Sequence, residues 1–155
     1  MPKLLLRDAV EEDLPVIHGI ESTIYPSPWT FNFFRIMFHM NQDLFIVALF
    51  EDDVVGYTVG EIEIMGKKSS PRNAGHVLNI AVSSEFQGKG AGTILLDELE
   101  SRFIKKGADM AYLEVRESNE RAQRVYRNRG YQYVRTAKNY YGDEDAFIMT
   151  KRLEH

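Results

Sequence analysis

A glutamate in the run Tyr112-Leu113-Glu114-Val115-Arg116 has the setting of a general base. The run alternates, so Leu113 and Val115 share one face of a strand and Glu114 projects from the other. A carboxylate in mid-strand is partly withdrawn from water, which raises its pKa from about 4.3 towards neutrality, where it can take a proton. The same position also suits a structural ion pair with an arginine or lysine, and the residues alone leave both readings open. Twelve residues on, Tyr126 is a candidate proton donor, although a tyrosine on a helix face also serves as packing. Ser118 or Asn119 reads as a helix cap. Upstream, Gln87-Gly88-Lys89-Gly90-Ala91-Gly92 separates an apolar run at 76–82 from a helical pattern at 93–99. A strand, a glycine loop and a helix in that order form a phosphate site. The glycines let backbone approach an anion, and the first free amides of the helix point at it.

These groups must be carried by a chain of one ordinary domain, and its order reads β-α-α-β-β-β-α-β-α-β-β. Residues 3–7 read as a strand. Glu11, Glu12 and Asp13 then open a helix, with Pro15 early in it and Ile17, Ile20 and Ile24 at core spacing. Tyr25-Pro26-Ser27-Pro28 breaks that helix, and Thr30 caps a short second one through Phe33, Phe34 and Met37. Residues 44–50 and 54–64 read as strands joined at Asp52-Asp53, with 71–75 as loop. The glycine-loop strand and its helix follow, the helix ending near Gly107. A strand at 110–115, a helix at 119–129 with Ala122, Val125 and Tyr126 on one face, and strands at 131–138 and 145–149 complete the order. A mixed sheet of this kind, with helices on its faces, is an α/β fold.

Bulk composition narrows the function. Hydrophobic residues make up 44% and charged residues 27%, which are globular values. A net charge of -4 argues against a nucleic-acid binder. The chain has no cysteine, so thiolate metal sites and a cysteinyl intermediate are excluded, and direct attack on a bound donor is the simpler expectation. His18 and His39 have no ligand partners at metal-binding spacing. The first residues are too short and too soon interrupted for a signal peptide, and no apolar run approaches the roughly 18 residues of a membrane span, so a cytoplasmic protein is expected. Leu153-Glu154-His155 reads as the remnant of a vector tag, which leaves 3–152 as the domain.

Taken together, Asn79-Ile80-Ala81-Val82, the glycine loop and Tyr112-Leu113-Glu114-Val115-Arg116-Glu117-Ser118-Asn119 resemble the GCN5-related N-acetyltransferase (GNAT) family. The run from Tyr126 to Tyr131, with Asn139-Tyr140-Tyr141 and Glu144-Asp145-Ala146, is similar to that family's N-terminal α-amine acetyltransferases. These are the RimI type, which modifies a ribosomal protein, and its archaeal and eukaryotic relatives. Ile20-Glu21 and Pro28-Trp29-Thr30 resemble the same group's first helices, and the likeness spans residues 4–152.

The resemblance implies a GNAT fold: about seven strands in a mixed sheet splayed in the middle, with about four helices. It implies acetyl-CoA as co-substrate, no metal, and a protein or peptide N-terminus as acceptor, with a ribosomal protein among the candidates. Nucleic acid and membrane are not expected partners. Backbone groups of Ile80, Ala81 and Val82 would pair with the pantetheine arm as an added strand. Amides of Gln87, Gly88, Lys89, Gly90, Ala91, Gly92 and Thr93 would hold the pyrophosphate, with Lys89 adding charge. Asn119 would contact the arm. Glu114 matches the base, and Tyr126 the acid that protonates the departing sulfur. Tyr140 and Tyr141 would lie over the acceptor peptide, and Glu21 and Trp29 match the acceptor side. His76 matches a histidine that orders a catalytic water, whereas the residues alone read it as solvated at a strand end. Glu21 read alone is a solvated helix position. Gln87 departs from the family's usual arginine, which matters little for a loop that binds through backbone amides.

The acceptor sets the task of the base. A protein α-amine has a pKa of about 7.7 to 8.0 and a lysine side chain about 10.4, so freeing the α-amine costs roughly 3 kcal/mol less. One partly buried carboxylate is sufficient. Two rival readings remain: acetylation of a small amine or lysine side chain on the same scaffold, and a CoA-binding regulatory module without turnover. A dinucleotide oxidoreductase is disfavoured, because the chain lacks repeated βαβ units and an acidic ribose contact about 20 residues beyond the loop.

Overall fold

The computed structural model describes residues 3–154, so Met1, Pro2 and His155 lie outside it. It holds seven strands and four α-helices in the expected order. The chain divides into two compact units: one takes the residues up to Glu61 together with Asn79–Arg102, the other Ile62–Leu78 and everything from Phe103 on.

In the first unit β1 (Leu4–Asp8) pairs antiparallel with β2 (Phe45–Phe50), and β2 with β3 (Asp53–Lys67). Helix α1 (Leu14–Ile24) follows a 3-10 turn, with Pro15 in its first turn where a missing N–H costs little. Its Leu14 and Ile17 are fully buried, as are Phe34, Phe45 and Tyr57. Asp13 does more than start the helix. It is 7% exposed, takes both arms of Arg7 at 2.7 and 2.9 Å, and accepts the Val10 amide at 2.8 Å. Thr30 caps α2 (Phe31–Met40), its hydroxyl accepting from the Phe33 amide. The helix after the glycine loop, α3, runs Ala91–Lys105.

In the second unit the first half of β4 (Ser70–Val82) lies parallel to β5 (Met110–Arg116), paired from Ala74–Met110 to His76–Tyr112. Antiparallel to β5 runs β7 (Ala146–Arg152), and β6 (Gln132–Ala137) forms the outer edge, giving the strand order β1-β2-β3-β4-β5-β7-β6. Along β5, Ala111, Leu113 and Val115 are buried while Tyr112, Glu114 and Arg116 line the other face half-buried, as the alternation requires.

Three expectations are corrected here. Residues 71–75 are strand, not loop, and Pro71 sits near the start of β4, where a missing N–H is tolerated. Gly75 is there for space: a Cβ on it would lie 2.1 Å from the Phe103 ring. On α4 (Glu120–Asn128) the buried pair is Gln123 and Tyr126, while Val125 is 38% exposed. Gln123 can be buried because its amide donates to the carbonyls of Arg116 and Glu117, at 3.0 and 2.8 Å. Leu153, read as tag, is 5% exposed and its amide donates to the Asp109 carbonyl, so it belongs to the packed chain. Among the described residues no helix is long and apolar enough to cross a membrane.

Candidate active site

Glu114 stands on the half-buried face of β5, and its side chain is 11% exposed. Among the described residues its partner is not an arginine or a lysine. Oε1 lies 2.7 Å from Nε2 of His76, which the parallel β4–β5 register brings alongside. The other imidazole nitrogen, Nδ1, lies 2.7 Å from Oε2 of Glu63 on β3. The Tyr112 hydroxyl donates to Glu63 Oε1, and its ring stacks on the imidazole with centroids 4.2 Å apart. His76 is thus a bridge between two carboxylates, 12% exposed, and not a solvated strand end. Burial pulls its pKa down. The hydrogen bonds and charges of Glu114 and then Glu63 outweigh that, so the imidazolium persists above its ordinary value of about 6.5.

Tyr140, in the β6–β7 loop, lies near enough to Glu114 for the carboxylate's charge to act on its phenol. Burial, followed by the Glu114 charge, holds the phenol above its usual pKa, so it stays a donor. The loop is fastened by Arg116, which follows Glu114 by two residues and so shares its face. Arg116 Nη1 reaches Asp143 at 3.2 Å and Glu144 at 3.0 Å, and the Ser118 amide donates to Glu144 at 2.6 Å. Sequence reasoning missed Arg116, although its place in the alternation was a visible signal. Tyr141 is half-buried beneath the guanidinium, and Tyr126 on α4 is 8% exposed. Burial raises the Tyr126 phenol well above 10. A phenol raised that far suits donating a hydrogen bond better than giving up its proton to a thiolate whose acid form lies near 8.5. Asn119 is a cap, as the residues alone suggested, its Oδ1 accepting from the Ala122 amide at 3.1 Å.

The first unit carries the phosphate-loop candidate. Gly88 and Gly90 have φ of 76° and 90°, a region that favours glycine, and a Cβ on Gly90 would meet nothing within 4 Å. The fifteen-residue α3 begins at the next residue, with free amides at its first turn. The open approach and the helix start fit a pyrophosphate. The Lys89 ammonium sits 5.5 Å from the Phe86 ring centre. In the strand before the loop, Ile80 is not an open rung. Its amide donates to its neighbour Asn79 Oδ1 at 3.0 Å, and its carbonyl accepts from the Tyr25 hydroxyl. The Val82 carbonyl accepts from Gln87 Nε2 at 2.9 Å.

Glu21 overturns the solvated-helix reading. It is 2% exposed, and its carboxylate accepts from the Trp29 amide at 2.9 Å, Asn79 Nδ2 at 2.8 Å and the Tyr57 hydroxyl. With three donors from three segments it fastens α1, the loop before α2, and strands β3 and β4. Trp29 is half-buried against Phe33 and Phe34, with ring centroids 4.8 and 5.1 Å away.

Comparison with known proteins identifies the family. Residues 14–131 match the model of the Acetyltransferase (GNAT) family. The N-alpha-acetyltransferase of Saccharolobus solfataricus is 35% identical over 154 residues, covering 96% of this chain and 92% of that protein. The [ribosomal protein bS18]-alanine N-acetyltransferase of Salmonella typhimurium is 30% identical, covering 88% and 89%. Among solved structures, Ard1 from Thermoplasma volcanium is similar with a TM-score of 0.88 at 25% identity, covering 98% of this chain and 99% of that one.

Proposed function

The chain belongs to the GNAT family of acetyltransferases, and from that premise we propose that it moves the acetyl group of acetyl-CoA directly onto the free α-amine of a protein N-terminus. The observation that carries this reading is the Glu114 carboxylate: half-buried, bonded to an imidazole and, among the described residues, committed to neither arginine nor lysine. Such a group suits a proton acceptor better than a structural ion pair.

In this reading Glu114 takes the proton of the acceptor ammonium, and the freed amine attacks the thioester carbonyl. The C–N bond forms as the C–S bond breaks, and the second proton shed by the attacking nitrogen passes to the leaving sulfur, so that CoA departs as a thiol. Tyr126 donates a hydrogen bond to the leaving sulfur, which steadies the developing thiolate. Loop amides from Gln87 to Thr93 hold the pyrophosphate. With Ile80 engaged internally and the Val82 carbonyl held by Gln87, the strand-like pairing with the pantetheine arm falls to the backbone of Ala81 and the amide of Val82. Tyr140 and Tyr141 contact the acceptor peptide, and Trp29 remains an acceptor-side residue while Glu21 becomes a structural one. Having no cysteine, the chain cannot pass the acetyl group through a cysteinyl intermediate, and direct transfer is the simpler course.

The Salmonella relative is named for the alanine of ribosomal protein bS18, so a ribosomal-protein N-terminus is the first acceptor to try. Such an acceptor places the reaction in the cytoplasm. The test is intact-mass analysis of short peptides with free or blocked N-termini, supplied with acetyl-CoA. Free N-termini should gain one acetyl group and blocked ones none. Modification confined to internal lysines would overturn the reading, and binding of acetyl-CoA with no CoA release on any peptide would favour a regulatory module.

A further inference from the structure

Paired residues of neighbouring strands share a face, so the strand registers fix what lies across the sheet from Glu114. Glu114 pairs with Ile148 on β7, and Ile148 pairs with Arg135 on β6. The three form one lateral row, with Arg135 two strands out, about 10 Å away at the usual strand spacing. Strict alternation along β6 would not put it there. Tyr133 occupies the opposite face, where its ring meets that of Phe147 edge-on at 5.3 Å, and a residue two places on would follow it. A bulge prevents this. From Tyr133 to Arg135 the chain advances two residues while β7 advances one, from Met149 to Ile148. Val134 is therefore the extra residue, and Arg135 is turned onto the Glu114 face.

The cation placed there is uncommitted. Arg116, on the same face, is held by Asp143 and Glu144. Arg135 is exposed and, among the described residues, makes no ion pair. Ile148, between Arg135 and Glu114, is 8% exposed and carries no charge. On its other side Glu114 is closed off by the His76 ring, so an acceptor whose amine meets Glu114 has its chain directed over β7 and β6. An extended chain advances about 3.3 Å per residue, which brings its third or fourth side chain level with Arg135.

Resting on the function proposed above, we propose that Arg135 is a specificity residue of this site, selecting acceptors with an acidic side chain at the third or fourth position. The contact lies far from the reacting atoms, so it forms equally in the bound complex and the transition state and acts through KM, not kcat. An exposed ion pair gives a modest preference, about three- to fivefold.

The test uses eight-residue peptides with free N-termini and one neutral parent sequence, in which Asp, Asn or Lys is moved through positions 2 to 7. The readout is the ratio of kcat/KM for the Asp and Asn peptides, and for the Lys and Asn peptides, taken within each protein so that any overall change in rate cancels. Wild type should favour Asp over Asn about three- to fivefold at position 3 or 4, through a lower KM, and disfavour Lys there. Arg135→Glu should reverse that order, and Arg135→Leu should abolish it. Both preferences should shrink as salt rises from about 0.05 to 0.5 M. A wild-type ratio near one at every position would overturn the assignment. So would an Asp preference that Arg135→Glu leaves standing, since another cation would then be reading the acceptor. The two levels separate: if wild type acetylates the peptides without regard to charge, α-amine transfer stands and the role of Arg135 falls alone. If no peptide with a free N-terminus is acetylated, the acetyl-transfer proposal itself fails and Arg135's role with it.

Discussion

The guanidinium of Arg116 lies over the ring of Tyr141, 4.2 Å from its centroid, while the same side chain holds Asp143 and Glu144. One residue on the Glu114 face of β5 therefore fastens the loop that brings Tyr140 to Glu114. The side chain of Arg116 is only 10% exposed, so water screens the ring contact weakly. Contacts of this kind contribute about 1 kcal/mol. Arg116→Leu should accordingly raise the KM for an acceptor peptide about fivefold and leave the KM for acetyl-CoA in place. Separate saturation curves for the two substrates check this, and an unmoved peptide KM would remove the loop from acceptor binding.

His76 ties stability to pH. Its folded pKa is raised above the unfolded value of about 6.5, so the folded state binds the proton more tightly. That stabilisation is complete below the unfolded value and fades as pH rises through the raised folded one. His76→Gln should therefore lower the melting temperature more near pH 6 than near pH 9. Thermal melts of the two proteins across that window are the measurement, and a constant difference would mean that the imidazole carries no linked proton.

Gly75 gives a test of packing alone. A methyl group there would lie 2.1 to 2.6 Å from three atoms of the fully buried Phe103 ring, so ring or strand must shift. Gly75→Ala should cost about 3 kcal/mol, the upper range for overpacking, read as a lower urea midpoint. Adding Phe103→Leu should recover part of the loss. Full wild-type stability in the single variant would show that the ring moves freely.

What the sequence disclosed was local. The period of two in β5 set Glu114 apart from Leu113 and Val115, and the caps at Thr30 and Asn119 span three residues each, so neighbours in the chain decide them. Glu21 was misread because its donors come from residues 29, 57 and 79, and no helical pattern records them. His76 was undervalued for a similar reason. Its two acids lie 13 and 38 residues away, and only the strand register aligns them. Gly75 looked like a turn glycine because its reason, an aromatic ring 28 residues later, is tertiary.

The central claim is that Glu114 takes the acceptor's proton and does little to hold the donor. Its most direct test is Glu114→Gln, which keeps shape and hydrogen bonding but cannot accept that proton. Steady-state kinetics on a peptide acceptor, with calorimetric binding of acetyl-CoA, should show kcat lower by about 10² to 10⁴ and an unchanged Kd. A variant that turns over at the wild-type rate would contradict the account, as would one whose lost activity is matched by lost acetyl-CoA affinity.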